Sequence, residues 1–261
     1  MSRLSSIVRV VAFAGVVGAA AGGGLLLDKA AMWRAERDSL LRTAALTPGR
    51  DGHSSLTVLL LGDSIFERFP WRALFSNRFD LQNFGVAENS IGQIAARYHR
   101  IAVPPTSDIV VVEGGINNLL GANIRGDAEI TTVERVVAKY REILADAADR
   151  GSAAVLFGVL PVTSRFLLPH TRSVGLPTTF DVAKVNRMVA AVNANLRMLA
   201  AKPQVTYCDV ASAVAGTDGE FRRLYAAPDG YHVNVFGYQA LAAELEKCLE
   251  GLRPVTGESR R

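Results

Sequence analysis

Four short runs of apolar residues, none long enough to make a helix, constrain this chain more than any other feature. They are Thr57–Leu61 (TVLLL), stopped by Gly62, then Ile109–Val112, Ala153–Val159 and Val205–Cys208. A strand with one wet face alternates apolar and polar residues, whereas a run that is apolar throughout has no wet face. These runs therefore read as strands of a parallel sheet covered on both sides. Helical patterns lie between them. Ile130, Val133, Val136, Val137, Tyr140, Ile143 and Leu144 recur at spacings of three and four as far as Arg150-Gly151. Val182, Val185, Met188, Val189, Val192, Leu196 and Leu199 repeat the pattern after a Thr178-Thr179 start, and Phe236, Leu241, Leu245 and Leu249 follow Asn234, a good N-cap. Such stripes are core faces. Strands alternating with helices predict a three-layer α/β/α domain, and ligands of such domains bind where parallel strands end at their carboxyl edge.

Composition adds the bounds. The 261 residues are 49% hydrophobic and 21% charged, as in globular proteins, and the portion beyond residue 55 is the size of one domain. The net charge of +4 comes from 29 Lys+Arg and 25 Asp+Glu scattered along the chain. No basic stripe marks a nucleic-acid surface, so nucleic acid is excluded as a partner. Cys208 and Cys248 show no metal-ligand spacing. They read as two small buried apolar side chains, with a single disulfide as the alternative for an exported domain.

Residues 1–27 have a different character. Arg3 and Arg9 precede an uncharged stretch from Val10 to Leu27, which Asp28 and Lys29 close. This is a signal-anchor or a signal peptide: Ala19-Ala20-Ala21 offers a cleavage site, while Leu25-Leu26-Leu27 continues the span. The uncleaved anchor is the preferred reading, placing the domain outside the cytoplasm on a single-pass cell-membrane protein. A secreted or periplasmic protein is the alternative if the segment is cleaved. Residues 28–55 form a linker with a short helix, broken at Pro48-Gly49 and Asp51-Gly52; residues 56–252 form the domain, and 253–261 a basic tail.

Three polar motifs fall at the predicted carboxyl edge. Gly62-Asp63-Ser64 follows the first apolar run, Glu113-Gly114-Gly115-Ile116-Asn117-Asn118 follows Ile109–Val112, and Asp229-Gly230-Tyr231-His232 precedes the last helix. A serine hydroxyl needs a base to take its proton, and the base needs an acceptor to hold its tautomer. His232 fits the base and Asp229, three residues earlier, fits the acceptor. The Ser64 N–H and the Asn117 amide are candidate donors to a developing oxyanion. Arg165 and His170, in the long Pro161–Pro177 loop at the same edge, are candidate substrate contacts. His53 and His99 read as solvated. No cofactor or metal motif is present.

The order of these blocks resembles the SGNH (GDSL-like) hydrolase family, over residues 57 to about 250. The resemblance implies a flavodoxin-like sheet and hydrolysis of esters or O-acyl groups without a cofactor. It maps the nucleophile to Ser64, the acid and base to Asp229 and His232, and the oxyanion-hole amide to Asn117. The family's second block usually reads Asn-x-Gly-x-x-Gly-Asp. Here Asn83-Phe84-Gly85-Val86-Ala87-Glu88-Asn89 puts Glu88 where the oxyanion-hole glycine stands, with Gly85 as the donor in a shifted alignment. Asn118 replaces the usual aspartate. The expected activity is that of a serine esterase removing a small acyl group, O-acetyl first, from an envelope or secreted carbohydrate. The alternatives are a lipid or arylester substrate, acyl transfer to a sugar, and a non-catalytic scaffold of the cell envelope.

Overall fold

A computed structural model describes residues 56–75, 79–100, 107–164 and 180–252. Residues 1–55, the tail 253–261, and Arg165 and His170 lie outside the described residues. Among the described residues, no helix is long and apolar enough to cross a membrane.

All four apolar runs are strands: β1 (Leu56–Gly62), β3 (Ile109–Val112), β4 (Ala153–Phe157) and β5 (Val205–Cys208). A fifth strand, β2 (Phe79–Gly85), has no apolar run behind it. Its sequence, FDLQNFG, is only partly buried because it lies at the edge of the sheet. The sheet order is β2-β1-β3-β4-β5 and every pairing is parallel. This is the flavodoxin-like order, in which successive crossovers leave in opposite directions from β1 and open a crevice between β1 and β3.

Helices fill the connections. They are α1 (Ser64–Glu67), α2 (Trp71–Leu74), α3 (Ile91–Arg100), α4 (Ile116–Arg125), α5 (Glu129–Asp149), α6 (Val182–Leu199), α7 (Val210–Val214) and α8 (Val235–Glu250). The two-residue period of the strands divides the core between two faces. Leu59, Leu61, Val110, Val112, Ala154 and Leu156 pack against α3, α4, α5 and α6. Val58, Leu60, Ile109, Val111, Val155 and Phe157 pack against α1, α7 and α8. The three layers result from that division.

The helical stripes hold except at the start of α5 and of α8, where Ile130 is 70% exposed and Phe236 53%, whereas Val182 in the first turn of α6 is buried. Helix α6 is capped by Asp181, whose carboxylate accepts the Lys184 N–H. The Thr178-Thr179 start falls outside the described residues. Asn234 caps α8 as expected, accepting from the Gly237 N–H at 3.0 Å. The cysteines are not free: Cys208, closing β5, is bonded to Cys248 near the end of α8. That pairing depended on how α8 lies against β5, which spacing along the chain does not encode.

Candidate active site

Strand adjacency and a common direction bring the first and second motifs together. Strands β1 and β3 are adjacent and in register, Leu61 beside Val112, so Gly62-Asp63-Ser64 and Glu113-Gly114-Gly115 leave the sheet side by side. Asp63 caps α1, accepting the Ile65 N–H at 3.0 Å, which makes Ser64 the first residue of the helix. Beyond β3 the chain turns sharply into α4 through Gly114 and Gly115, at φ 148° and 109°, a conformation in which any side chain would be strained.

The third motif arrives on a turn ahead of α8. The Ala227 N–H donates to the His232 carbonyl at 2.8 Å and the Thr163 N–H, just past β4, to the Gly230 carbonyl at 2.9 Å. The turn is thereby tied to the sheet and brings His232 to the serine: Ser64 Oγ and His232 Nε2 are 2.8 Å apart. On the far side of the ring, Nδ1 lies 2.7 Å from Asp229 Oδ2. Asp229 Oδ1 accepts from the N–H groups of Tyr231 and His232 at 3.2 and 3.0 Å. Burial pushes the Asp229 carboxyl up, but the His232 side chain and these N–H donors outweigh it and hold the carboxyl at about 2. It is therefore a carboxylate at neutral pH. The Tyr231 ring lies against the imidazole, centroids 4.2 Å apart. Ser64 is 5% exposed and His232 4%.

The candidate oxyanion donors separate clearly. Gly85 is unsuited: its N–H is taken by Asn83 Oδ1 at 2.8 Å, and a Cβ there would stand 2.1 Å from the Glu67 nitrogen, so it serves close packing against α1. Glu88 has φ 64°, the left-handed conformation that a glycine would adopt freely, and no acceptor among the described residues takes its N–H. The Ser64 N–H is likewise unengaged among the described residues. Asn117 Nδ2 donates to Asp63 Oδ2 at 3.2 Å and to the Asn89 carbonyl at 3.1 Å, so this amide is already oriented by partners that the motif spacing does not reveal. Asn118 Oδ1 accepts the Ile91 N–H at 2.9 Å, fastening the turn after β3 to the start of α3. A neutral amide oxygen does this as well as a carboxylate.

Two further residues escape a reading of the sequence. Arg97 of α3 reaches back to the Gly62 carbonyl at 2.8 Å and also donates to Asn89 Oδ1, joining β1's exit to the Glu88 loop. Glu113 is buried beside Asp63 and accepts its N–H at 2.9 Å. A carboxylic residue directly after each of two buried strands was the available signal for that pair. Its meaning needed the knowledge that the strands are neighbours. His99 pairs with Asp146 on the surface at 3.2 Å. Among the described residues, no cluster of His, Cys, Asp or Glu is arranged to hold a metal ion.

Residues 60–240 match the family model described as the GDSL-like Lipase/Acylhydrolase family. No curated protein matches the chain. Among solved structures, a Streptococcus pneumonia protein is 19% identical with a TM-score of 0.60, over 88% of this chain and 98% of that one. A GDSL-like lipase from Bacteroides thetaiotaomicron is 16% identical with a TM-score of 0.57, over 82% and 97%. An acetyl xylan esterase is 15% identical with a TM-score of 0.55, over 74% and 98%. At these identities the likeness is one of fold.

Proposed function

Because this chain belongs to the GDSL-like lipase/acylhydrolase family and is a hydrolase acting on esters, we propose that it works through a Ser64 acyl-enzyme and removes small acyl groups, O-acetyl first, from carbohydrate outside the cytoplasm. The observation that carries the mechanism is the 2.8 Å contact between Ser64 Oγ and His232 Nε2, with Asp229 at 2.7 Å behind the ring. In the tautomer that donates Nδ1–H to Asp229, Nε2 accepts from the serine hydroxyl. Ser64 Oγ attacks the ester carbonyl as His232 takes its proton, and the Asp229 carboxylate stabilises the imidazolium. The N–H groups of Ser64 and Glu88 receive the oxyanion, each worth about 3 kcal/mol in such a site, and Asn117 Nδ2 adds a third donor by turning one hydrogen from the Asn89 carbonyl while the other stays on Asp63. Collapse breaks the ester C–O bond and the alcohol leaves with the proton from His232. Water then repeats the sequence and frees the acid.

Two observations support the finer reading. The near-complete burial of Ser64 and His232 favours a slim acyl group over a bulky one. The Cys208–Cys248 bond suits an oxidising compartment, in keeping with an apolar N-terminal segment that tethers or exports the domain. The test is hydrolysis of a chromogenic acetate ester by the full chain, beside Ser64→Ala and His232→Ala. Both variants lose about 10²-fold or more in kcat, because members of such a triad fail as a unit, and only proteins with Ser64 and His232 intact are labelled by a fluorophosphonate. Equal rates in all three proteins would reject the mechanism.

A further inference from the structure

Two buried carboxyl groups sit beneath the nucleophile and take no part in the acyl-transfer steps. Asp63 is completely buried and Glu113 is 2% exposed. The Asp63 N–H donates to Glu113 Oε2 at 2.9 Å, which sets the two buried carboxyl groups side by side. Two like charges buried side by side do not both ionise, so one member of the pair carries a proton.

The remaining hydrogen bonds assign it. Asp63 Oδ1 accepts from the Ile65 N–H at 3.0 Å and Oδ2 from Asn117 Nδ2 at 3.2 Å, so both of its oxygens are committed as acceptors. Glu113 has one oxygen accepting and the other available to donate. The surroundings agree. Arg68 and Arg97 and the His232 ring lie on the Asp63 side. The charge that bears on Glu113 is Asp63 itself, and the phenols of Tyr140 of α5 and Tyr238 of α8 lie near both carboxyls. Tyr140 gives its own proton to the Gly114 carbonyl at 2.8 Å and Tyr238 to that of Ile65 at 3.0 Å.

We propose that Glu113 is a neutral carboxylic acid that donates its proton to Asp63 and so holds the Asp63 carboxylate, and through it the Asn117 amide, in the geometry that receives the oxyanion. Glu113 is thus a positioning residue, four positions before the amide in the chain and one carboxylate away in space. Burial, with the Asp63 charge next, raises its carboxyl well above the usual range. The positioning role rests on the proposed part played by Asn117; the protonation state does not.

The experiment compares the full chain with Glu113→Gln and Glu113→Leu. An infrared difference spectrum of native protein minus Glu113→Gln at neutral pH shows the carbonyl stretch of a protonated carboxylic acid. Glutamine can donate Nε2–H to Asp63 and accept the Asp63 N–H, so kcat on a chromogenic acetate stays within about threefold of native. Leucine does neither, and kcat falls by about tenfold to a hundredfold while KM moves by less than about threefold. Absence of the acid band, a glutamine variant as slow as the leucine one, or a leucine variant that loses melting temperature but no kcat would each overturn the proposal. The infrared arm and the glutamine variant need no folded leucine variant. An acid band alongside a Ser64→Ala protein as active as native would refute the serine mechanism while leaving Glu113 protonated.

Discussion

Glu88 is the residue whose identity least suits its place. It adopts φ 64°, where a side chain costs about 1–2 kcal/mol and a glycine nothing. Its side chain is exposed, so packing does not compensate, and the loop keeps the conformation because Arg97, Asn89 and Asn117 bond around it. An ordinary exposed position accepts valine within about 0.5 kcal/mol. Here Glu88→Val lowers stability by about 1 kcal/mol or more, because a β-branched side chain is the worst fit to this backbone, whereas Glu88→Gly leaves it level or raised; urea midpoints of the two variants against native decide it. Much of the residue-scale site is legible in the sequence. Asp229 and His232 are three residues apart, so one turn brings them into contact. The choice between Glu88 and Gly85 is not legible, because both belong to the stretch where β2 ends and only the folded chain shows that the Gly85 N–H is taken by Asn83.

At the scale of elements, helix α8 carries both the cap and the support of the turn that holds Asp229 and His232. Asn234 Oδ1 accepts from the Gly237 N–H, while its amide donates to the carbonyls of Leu224 and Ala226 at 2.8 and 3.3 Å. One side chain thus closes the helix end and pins the segment leading to Asp229. Asn234→Ala therefore costs about 1–2 kcal/mol, at the upper end for an N-cap, since it leaves a helix donor and two carbonyls short of partners; chemical denaturation measures it, and a loss under about 0.5 kcal/mol would mean water replaces the side chain. The cap was readable from sequence because capping is local. Strand β2 was not, because at the edge of the sheet its burial is mixed and period and hydrophobicity both fade. The same locality explains the stripes: the 3.6-residue period marks the core face through most of α5 and α8, yet it cannot say how far along each helix that face stays covered, and Ile130 and Phe236 stand in solvent.

Over the whole molecule, the Cys208–Cys248 bond joins the last strand to the last helix across 40 residues of chain. The segment it closes contains Asp229 and His232, so the bond restricts the unfolded chain over the part that must return to Ser64 on folding. Loop entropy for a closure of this length corresponds to about 4 kcal/mol. Cys208→Ala/Cys248→Ala should lower the free energy of unfolding by about 2–4 kcal/mol in a denaturant titration, and a reductant should act in the same direction on native protein but not on the double variant. The sequence by itself determined the layered α/β architecture, the place of Ser64 after the first buried strand and the Asp229–His232 spacing. Each of these is written in a few consecutive residues, as a run, a period or a turn. Tertiary structure alone decided which cysteine state holds, which second-loop N–H is free, and that Asp63 and Glu113, fifty residues apart, come together. Those facts depend on strand order and register, which bring distant segments together by burying apolar surface on both faces of the sheet, and no local pattern encodes which segments will meet.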